Sequence, residues 1–345
     1  MIGSPAGDDR AAVAAQARAV LHDAGLEPPF RLEPITGGGN NRVFRVAAGS
    51  APVVLKVYFR HPTDPRDRLS ADFGFSAFAW QVGARALPRP LACDHAAGMA
   101  VYEYIPGRRL APGTVTAAHV AEAAAFFRQI NEHRADPRAA GLPEAAEARF
   151  SIAGHLACVS QRIERLRAIA ADTPPGRAAA TLVAERLRPA WERVSAAVRD
   201  MAGPTADRPL AAADRCLSPS DFGFHNALLA TDGRLRFIDF EYAGHDDPAK
   251  MVCDFFCQPA VSVPRDLWAE FVAGISAGWP DPASFAGRAA LLRPVYELKW
   301  CCIMLNEFLP AADSRRTFAG AGADGEARRT AQLTKVAAQL DHLGA

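Results

Sequence analysis

The sequence predicts an α+β fold in which an antiparallel, β-rich N-terminal part precedes a larger and mainly helical C-terminal part. Up to about residue 107, short segments rich in β-branched residues alternate with glycine and proline turns, as the strands of hairpins do. Beyond that point, long Ala-rich segments repeat apolar residues at the spacing of amphipathic helices. At 345 residues the chain exceeds the usual size of a single hydrophobic core, so we expect two lobes or two domains.

Local periodicity and turn residues define the elements of the N-terminal part. Helices are predicted for 11–25 and 66–82, and strands for 31–35, 42–47, 52–59 and 99–105. Pro106 and Gly107 then mark a turn between the two parts. We therefore predict an N-terminal lobe over residues 1–105 and a helical C-terminal lobe over residues 106–345.

The C-terminal part is predominantly helical, with one polar interruption. Its predicted helices span 115–134, 151–172, 178–202, 265–278, 284–310 and 325–343. A loop dense in polar residues and glycine covers 214–230, and a short strand over 234–240 follows the Asp232–Gly233 turn. This loop and strand hold the residues best suited to chemistry.

Composition excludes several classes of protein. Formal net charge is +1, so no global field attracts nucleic acid or an anionic membrane. The seven cysteines form no CxxC pair, which favours reduced thiols over a disulfide framework or a zinc site. No apolar run approaches the roughly 18 residues of a membrane-spanning helix, and the N-terminus lacks an apolar signal core. We expect a cytoplasmic protein without nucleic-acid or membrane partners.

Three polar residues in the central loop and strand suit phosphoryl transfer. That reaction needs a carboxylate to orient and deprotonate the attacking hydroxyl, and oxygen ligands to hold Mg²⁺ against the phosphates. Asp221 and Asn226 lie five residues apart in the loop, and Asp239 ends the following strand, so a base and two metal ligands can meet. The same spacing alone is typical of a surface turn, so this interpretation depends on further features.

A glycine-rich loop between two predicted strands is the first further feature. It consists of Gly37, Gly38, Gly39, Asn40 and Asn41. Without Cβ atoms, the backbone N–H groups of such a loop can close over phosphate groups. A glycine triplet in isolation also forms an ordinary flexible hairpin.

A single lysine in a β-branched segment is the second further feature. Lys56 is the only lysine in the first 249 residues, where arginine otherwise supplies the positive charge. Burial of an unpaired ammonium group is costly, but a lysine paired with a carboxylate and with phosphate oxygens is tolerated. The alternative is an edge-strand lysine that faces water.

Taken in order, these motifs resemble those of the aminoglycoside phosphotransferase and choline kinase-like superfamily. The resemblance runs from Gly37 to about Asp254 and includes the Asp-x4-Asn loop and the Ile-Asp-Phe strand. Members are small-molecule kinases related to the protein kinases. The resemblance therefore implies a protein-kinase-like bilobal fold that binds ATP and Mg²⁺ between its lobes, with GTP left open as the nucleotide.

The resemblance also assigns roles around the metal and the transferred group. Asp221 corresponds to the catalytic base, and Asn226 and Asp239 correspond to Mg²⁺ ligands. Glu241 is a further expected ligand, since some relatives carry an Asp-x-Glu pair at this strand end. His225 lies inside the same loop, where we expect it to pack the loop or to contact phosphate.

A second set of roles concerns the nucleotide. The glycine-rich loop is expected to cover the phosphates, and Lys56 to contact them. Asp72 occupies the position where relatives usually carry a glutamate that pairs with this lysine. Glu103 and Ile105 lie in the segment between the lobes, whose backbone groups are expected to bind the adenine.

The resemblance implies an enzyme that moves the γ-phosphoryl of Mg-ATP to a hydroxyl of a small molecule, such as an amino sugar, an aminoglycoside-like antibiotic or another metabolite. A choline- or ethanolamine-type kinase is one alternative. A nucleotide-binding pseudokinase is another, favoured by Asp72 and by Pro219, which replaces a histidine that many relatives carry. Against the pseudokinase speaks the joint retention of Lys56, Asp221, Asn226 and Asp239. The acceptor, the choice between ATP and GTP, and the oligomeric state stay open.

Overall fold

The fold is described by a computed structural model for residues 5–35, 41–47, 51–60, 66–309 and 325–344. Eleven helices occur in these ranges: α1 (Pro5–Gln16), α2 (Arg18–Asp23), α3 (Arg68–Gln81), α4 (Ala117–Asn131), α5 (Ile152–Arg165), α6 (Pro174–Leu182), α7 (Arg188–Ala202), α8 (Pro248–Cys257), α9 (Trp268–Ser276), α10 (Pro282–Leu305) and α11 (Gly325–His342). Ten strands occur there as well: β1 (Arg31–Pro34), β2 (Arg42–Ala47), β3 (Val53–Val57), β4 (Pro90–Asp94), β5 (Met99–Glu103), β6 (Gly107–Arg109), β7 (Cys216–Ser218), β8 (Ala227–Ala230), β9 (Leu235–Phe237) and β10 (Gly244–Asp246). The predicted α+β class is confirmed.

The N-terminal part is built on an antiparallel sheet with the order β1-β2-β3-β5-β4. Helix α3 packs on β4 and β5, and its first turn is capped by the Asp67 side chain, which accepts a hydrogen bond from the Ser70 amide. Strand β4 is not among the predicted strands, because Pro88 and Pro90 at its start are typical of a turn. Strand β4 lies at the edge of the sheet, where a proline is tolerated because no ladder hydrogen bond is lost.

The C-terminal part is an assembly of helices around α10, which contacts α5, α7, α8, α9 and α11. Helix α8 was missed at the sequence level, although Asp247 and Pro248 form a regular helix start. The Asp247 side chain accepts a hydrogen bond from the Ala249 amide, and Pro248 occupies the first turn. None of the helices in the described ranges combines the length and the apolar character that crossing a membrane requires.

A small three-stranded sheet joins the first part to the polar loop of the second, and a two-stranded sheet of β7 and β10 lies within the second part. Strand β6 directly follows the connecting segment and pairs with β8, which in turn pairs with β9. Gly107 starts β6 so close to its neighbour that a Cβ atom would lie 2.8 Å from the carbonyl oxygen of Leu229. The pairing therefore sets the connecting segment beside the strands that flank the candidate site. The proposed lobe boundary between residues 105 and 106 stays a prediction.

Candidate active site

The loop between β7 and β8 holds the predicted base against the first predicted metal ligand. The Asn226 side-chain amide donates hydrogen bonds to the backbone oxygen of Asp221 at 3.0 Å and to its Oδ2 at 3.2 Å. Phe222 and Phe224 anchor the loop in the aromatic core below it. Because these rings fix the backbone, the Asp221 side chain stays at the surface, where 37% of it is exposed.

Two residues of the site have unusual backbone conformations. Ser220 has φ of 64° and Asp239 has φ of 70°, in the left-handed region that residues other than glycine rarely adopt. The amide of Ile238 donates to the backbone oxygen of Asn226 at 2.9 Å, so the strand that leads to Asp239 is fixed to the loop. Such strained positions persist only where surrounding contacts hold them, and they cluster at functional sites.

Lys56 lies on the central strand β3, buried between two carboxylates. Its Nζ is 2.6 Å from Oδ2 of Asp72 and also contacts the carboxylate of Asp239. Burial disfavours the charged ammonium, but Asp239 and Asp72 outweigh this effect and raise the pKa of Lys56 well above its ordinary value. The structure thus brings Lys56, Asp72 and Asp239 together, and it excludes a lysine that faces water.

Glu241 lies close to the site but is engaged by other side chains. Its Oε1 accepts a hydrogen bond from Arg68 at 2.8 Å, and its Oε2 accepts one from the side-chain amide of Asn41 at 2.5 Å. Arg68 also donates to the Tyr242 hydroxyl at 2.8 Å. Glu241 therefore bridges the end of the glycine-rich loop and the start of α3. Its role as a metal ligand stays a prediction.

A cleft of about 360 Å³ opens between the N-terminal sheet and the strand end that carries Asp239. Glu103 and Ile105 lie along it, together with Lys56 and Asp72, and apolar side chains form much of its wall, namely Ile35, Val43, Val54, Leu228 and Ile238. The Glu103 amide is bonded to the carbonyl of Arg89, whereas the backbone of Ile105 forms no hydrogen bond with any residue that the structure describes. An apolar wall beside a backbone group that has no partner among the described residues suits a nucleobase.

Of the predicted phosphate loop, only Asn41 belongs to the described residues. Its Oδ1 accepts a hydrogen bond from the Phe59 amide at 3.1 Å, which fixes it beside the end of β3. Gly37, Gly38, Gly39 and Asn40 lie outside the described residues.

The donor set around Asp239 fits a hard divalent cation. The Asp239 side chain is 38% exposed, and the Oδ1 of Asn226 accepts no hydrogen bond within the described part of the chain. In that part, no three His, Cys, Asp or Glu side chains form a cluster that could bind a metal by themselves. One carboxylate and one amide oxygen, with the remaining ligands from water and phosphate, are the usual pattern for Mg²⁺.

Three functional candidates were missed or left without a clear role at the sequence level. The Tyr58 hydroxyl donates to Asp72 at 2.7 Å, and Arg68 binds Glu241. His225 lies with its Nε2 3.3 Å from Oδ1 of Asp221. Tyr58 and Arg68 carry no sequence signal, because a tyrosine in a strand and an arginine at a helix start are ordinary residues there.

Comparison with solved structures identifies the fold. The chain is similar to choline kinase from Cryptosporidium parvum Iowa II (TM-score 0.58, 10% identity, 97% of this chain and 96% of that chain). It is also similar to a spectinomycin phosphotransferase in complex with ADP and spectinomycin (0.57, 10%, 96% and 97%). A macrolide 2′-phosphotransferase from Brachybacterium faecium is a further match (0.56, 18%, 93% and 97%). These similarities confirm the predicted protein-kinase-like fold.

Comparison with family models identifies the family. A search among curated proteins found no significant match to the sequence. The model of the phosphotransferase enzyme family, however, matches residues 31–288, which is most of the chain and includes both the cleft and the polar loop. The chain therefore belongs to the phosphotransferase enzyme family, a family of small-molecule kinases.

Proposed function

We propose that this protein transfers the γ-phosphoryl group of Mg-ATP to a hydroxyl group of a small molecule. The observation that carries the proposal is the convergence of Lys56, Asp72 and Asp239 in one cleft. The loop of Asp221 and Asn226 is joined to the residue before Asp239, because the Ile238 amide donates to the backbone oxygen of Asn226. Phosphoryl transfer depends on positioning and on charge stabilisation, and this arrangement supplies a cation, metal-binding oxygens and an exposed carboxylate.

Each residue has a defined part in this mechanism. Asp221 orients the acceptor hydroxyl and accepts its proton, because its carboxylate is exposed while its neighbours fix its direction. Lys56 releases Asp239 as phosphate oxygens arrive and then contacts them as a point charge, with Asp72 as its remaining partner. Asp239 and the Oδ1 of Asn226 would hold Mg²⁺, which when bound neutralises charge on the phosphates.

The nucleobase is expected to lie against the apolar wall of the cleft, beside Glu103 and Ile105. The backbone amide of Ile105 is available as a donor, and adenine N1 is an acceptor of the matching kind. The spectinomycin phosphotransferase of the same fold was solved with ADP, which supports an adenine nucleotide here. Competition between ATP and GTP is the direct measurement of this choice.

The acceptor is proposed to be a small hydroxylated molecule, with amino sugars, aminoglycoside-like antibiotics and other hydroxylated metabolites as the leading class. Proteins of the same fold include kinases for an amino alcohol and phosphotransferases for antibiotics. A screen for nucleotide consumption should therefore cover aminoglycosides, macrolides, choline, ethanolamine, sugars and nucleosides. The position of the phosphate on the product then identifies the hydroxyl.

The first prediction concerns the base. Asp221→Asn should lower kcat by about 10²–10⁴-fold, because the amide cannot accept the proton, while the affinity for Mg-ATP changes little. Asp232→Asn is the matched control, since Asp232 lies in an exposed turn and only binds Arg236 and the Arg234 amide. Wild-type turnover by Asp221→Asn would refute this role, and nucleotide binding without turnover on any acceptor would favour a pseudokinase.

A further inference from the structure

Three donors converge on the buried carboxylate of Asp72. Lys56 Nζ lies 2.6 Å and the Tyr58 hydroxyl 2.7 Å from Oδ2, and the backbone amide of Phe240 lies 3.1 Å from Oδ1. Asp72 is only 3% exposed, so each of these contacts replaces hydration that the carboxylate has lost. Asp72 thus connects the phosphate-binding lysine with the peptide that follows Asp239.

A second tyrosine fixes the direction of the Tyr58 hydroxyl. The hydroxyl oxygens of Tyr58 and Tyr102 are 2.8 Å apart, and both side chains are buried. Because the single proton of Tyr58 points to the carboxylate of Asp72, Tyr102 must be the donor to Tyr58. The result is a directed chain from Tyr102 through Tyr58 to Asp72. Burial and the nearby Asp72 charge raise the pKa of both tyrosines well above their ordinary value, so both hydroxyls stay protonated.

The orientation of the Asp72 side chain matters because both of its carboxylate oxygens bind partners. One oxygen sets the position of Lys56, and the other holds the amide of Phe240 directly after Asp239, whose φ of 70° depends on surrounding contacts. A rotation of Asp72 about its side-chain torsions would disturb both at once. Of the two side chains that bind Asp72, Tyr58 is the neutral one, and its hydroxyl is itself held by Tyr102, so it is suited to fix the direction of the carboxylate.

We propose that Tyr58 is a positioning residue of the phosphate site, whose hydroxyl holds Asp72 where one oxygen pairs with Lys56 and the other accepts the Phe240 amide. This inference rests on the proposed function for its meaning, because it assumes that Lys56 contacts nucleotide phosphates. It can nevertheless be measured without an acceptor, through nucleotide binding alone.

The experiment compares Tyr58→Phe with the wild-type protein in binding to Mg-ATP and to adenosine, each measured by displacement of a fluorescent nucleotide. Loss of the hydroxyl should weaken Mg-ATP binding by about tenfold, because Lys56 is no longer held in place, and should leave adenosine binding within about twofold. Tyr296→Phe is the matched control. Tyr296 is equally buried and its hydroxyl binds His155 at 2.8 Å, but it lies outside the cleft.

A reciprocal pair of variants separates positioning from general stability. Asp72→Glu alone should impair Mg-ATP binding, because the added methylene has no room beside the Tyr58 hydroxyl and moves the carboxylate away from Phe240. In the Tyr58→Phe background the same Asp72→Glu change should be less harmful or should restore affinity, because the removed oxygen vacates that space. A purely structural role predicts that the two losses add and gives no such rescue.

The outcomes are distinct. Equal loss of Mg-ATP and adenosine affinity, or wild-type binding by a folded Tyr58→Phe variant, would overturn the inference. If the wild-type protein binds Mg-ATP and the predicted pattern of variants appears, but no acceptor is phosphorylated, the inference stands and the proposed function fails. If neither Mg-ATP nor Mg-GTP binds the wild-type protein, both fail.

Discussion

At the level of single residues, the carboxylate of the proposed base Asp221 is flanked by two residues that follow it in the same loop. Asn226 contacts Oδ2 of Asp221, and His225 lies 3.3 Å from Oδ1, so both oxygens have a neighbour. The His225 ring fits because residue 223 is glycine: a Cβ atom there would lie 2.8 Å from Nδ1. Nδ1 is buried and has no hydrogen-bond partner in the described ranges, so Nε2 is the ring nitrogen that can interact with the carboxylate.

Removal of the contact between His225 and Asp221 should lower the catalytic rate but change substrate binding little. We expect His225→Leu to lower kcat by roughly 10–100-fold, because Asp221 loses one of its two side-chain partners, with KM for the nucleotide within about twofold. His225→Gln should retain much of the activity, since its amide nitrogen can replace Nε2 as a donor. Steady-state kinetics of both variants measures this split. Equal losses for Leu and Gln, or a rise confined to the nucleotide KM, would contradict a role for His225 in orienting the base.

At the level of elements, periodicity predicted most helices and the longer N-terminal strands, but the predicted loop over 214–230 contains two strands. The elements missed were helix α8 and the strands β4, β6, β7, β8 and β10. Strand β4 was missed because Pro90 reads as a break unless the strand is known to lie at a sheet edge. Helix α8 was missed because its Asp–Pro start reads equally as a turn. Edge position is a tertiary property, and no local pattern contains it.

The same limit applies to the site. Lys56, Asp221 and Asn226 could be singled out because their spacing and rarity are visible in one chain. The contacts of Tyr58 could not be predicted in this way. Its hydroxyl donates to Asp72 of α3, and Asp72 in turn accepts a hydrogen bond from the amide of Phe240, 168 positions further along. The motif therefore predicts which groups take part, whereas the tertiary fold decides which neighbours hold them.

The different contacts of Asp239 and Glu241 predict different effects of the two residues on metal binding. Both oxygens of Glu241 are engaged, by Arg68 and Asn41, whereas Asp239 faces the cleft. We expect Asp239→Asn to raise the Mg²⁺ concentration for half-maximal rate by roughly tenfold or more, and Glu241→Gln to raise it by less than about threefold. A titration of the rate with Mg²⁺ at saturating nucleotide measures both. Equal shifts would instead support Glu241 as a direct metal ligand.

At the level of the whole molecule, buried charges tie distant elements together. Lys56 and Arg68 of the N-terminal part contact Asp239 and Glu241 of the C-terminal part across the cleft. Within the C-terminal part, the buried Asp247 joins three helices: it caps α8, contacts His155 of α5 at 3.0 Å and binds Arg288 of α10 at 2.6 Å. Such pairs contribute little when compared with apolar packing, but removal of one partner is costly because a buried charge remains.

Asp247 should therefore make the free energy of unfolding depend on pH in the acidic range. Burial by itself would raise the pKa of Asp247, but the hydrogen bond with His155 and the charge of Arg288 lower it to about 2. Since this value lies below that of the unfolded chain, Asp247 contributes stability above about pH 4 and loses it as pH falls towards 2. Burial raises the pKa of neighbouring Asp246 to about 6, but Asp246 is present in both the wild-type protein and Asp247→Asn, so its titration largely cancels in a comparison of the two.

The measurement is urea unfolding of the wild-type protein and of Asp247→Asn at pH 5, 4 and 3. Asp247→Asn should be less stable at pH 5, and the difference in unfolding free energy between the two proteins should shrink by about 1 kcal/mol by pH 3, because Asp247 becomes protonated in the unfolded wild-type chain while it stays mostly ionised in the folded protein. Asp232→Asn is the control: its carboxylate also has a lowered pKa, through the Arg234 amide and Arg236, but it is exposed and screened by water. The free energy of unfolding of Asp232→Asn should differ little from that of the wild-type protein at each pH, and this difference should vanish in added salt. A constant difference for Asp247→Asn from pH 5 to 3 would mean that Asp247 titrates normally, and that the three helices are held together by packing and not by its charge.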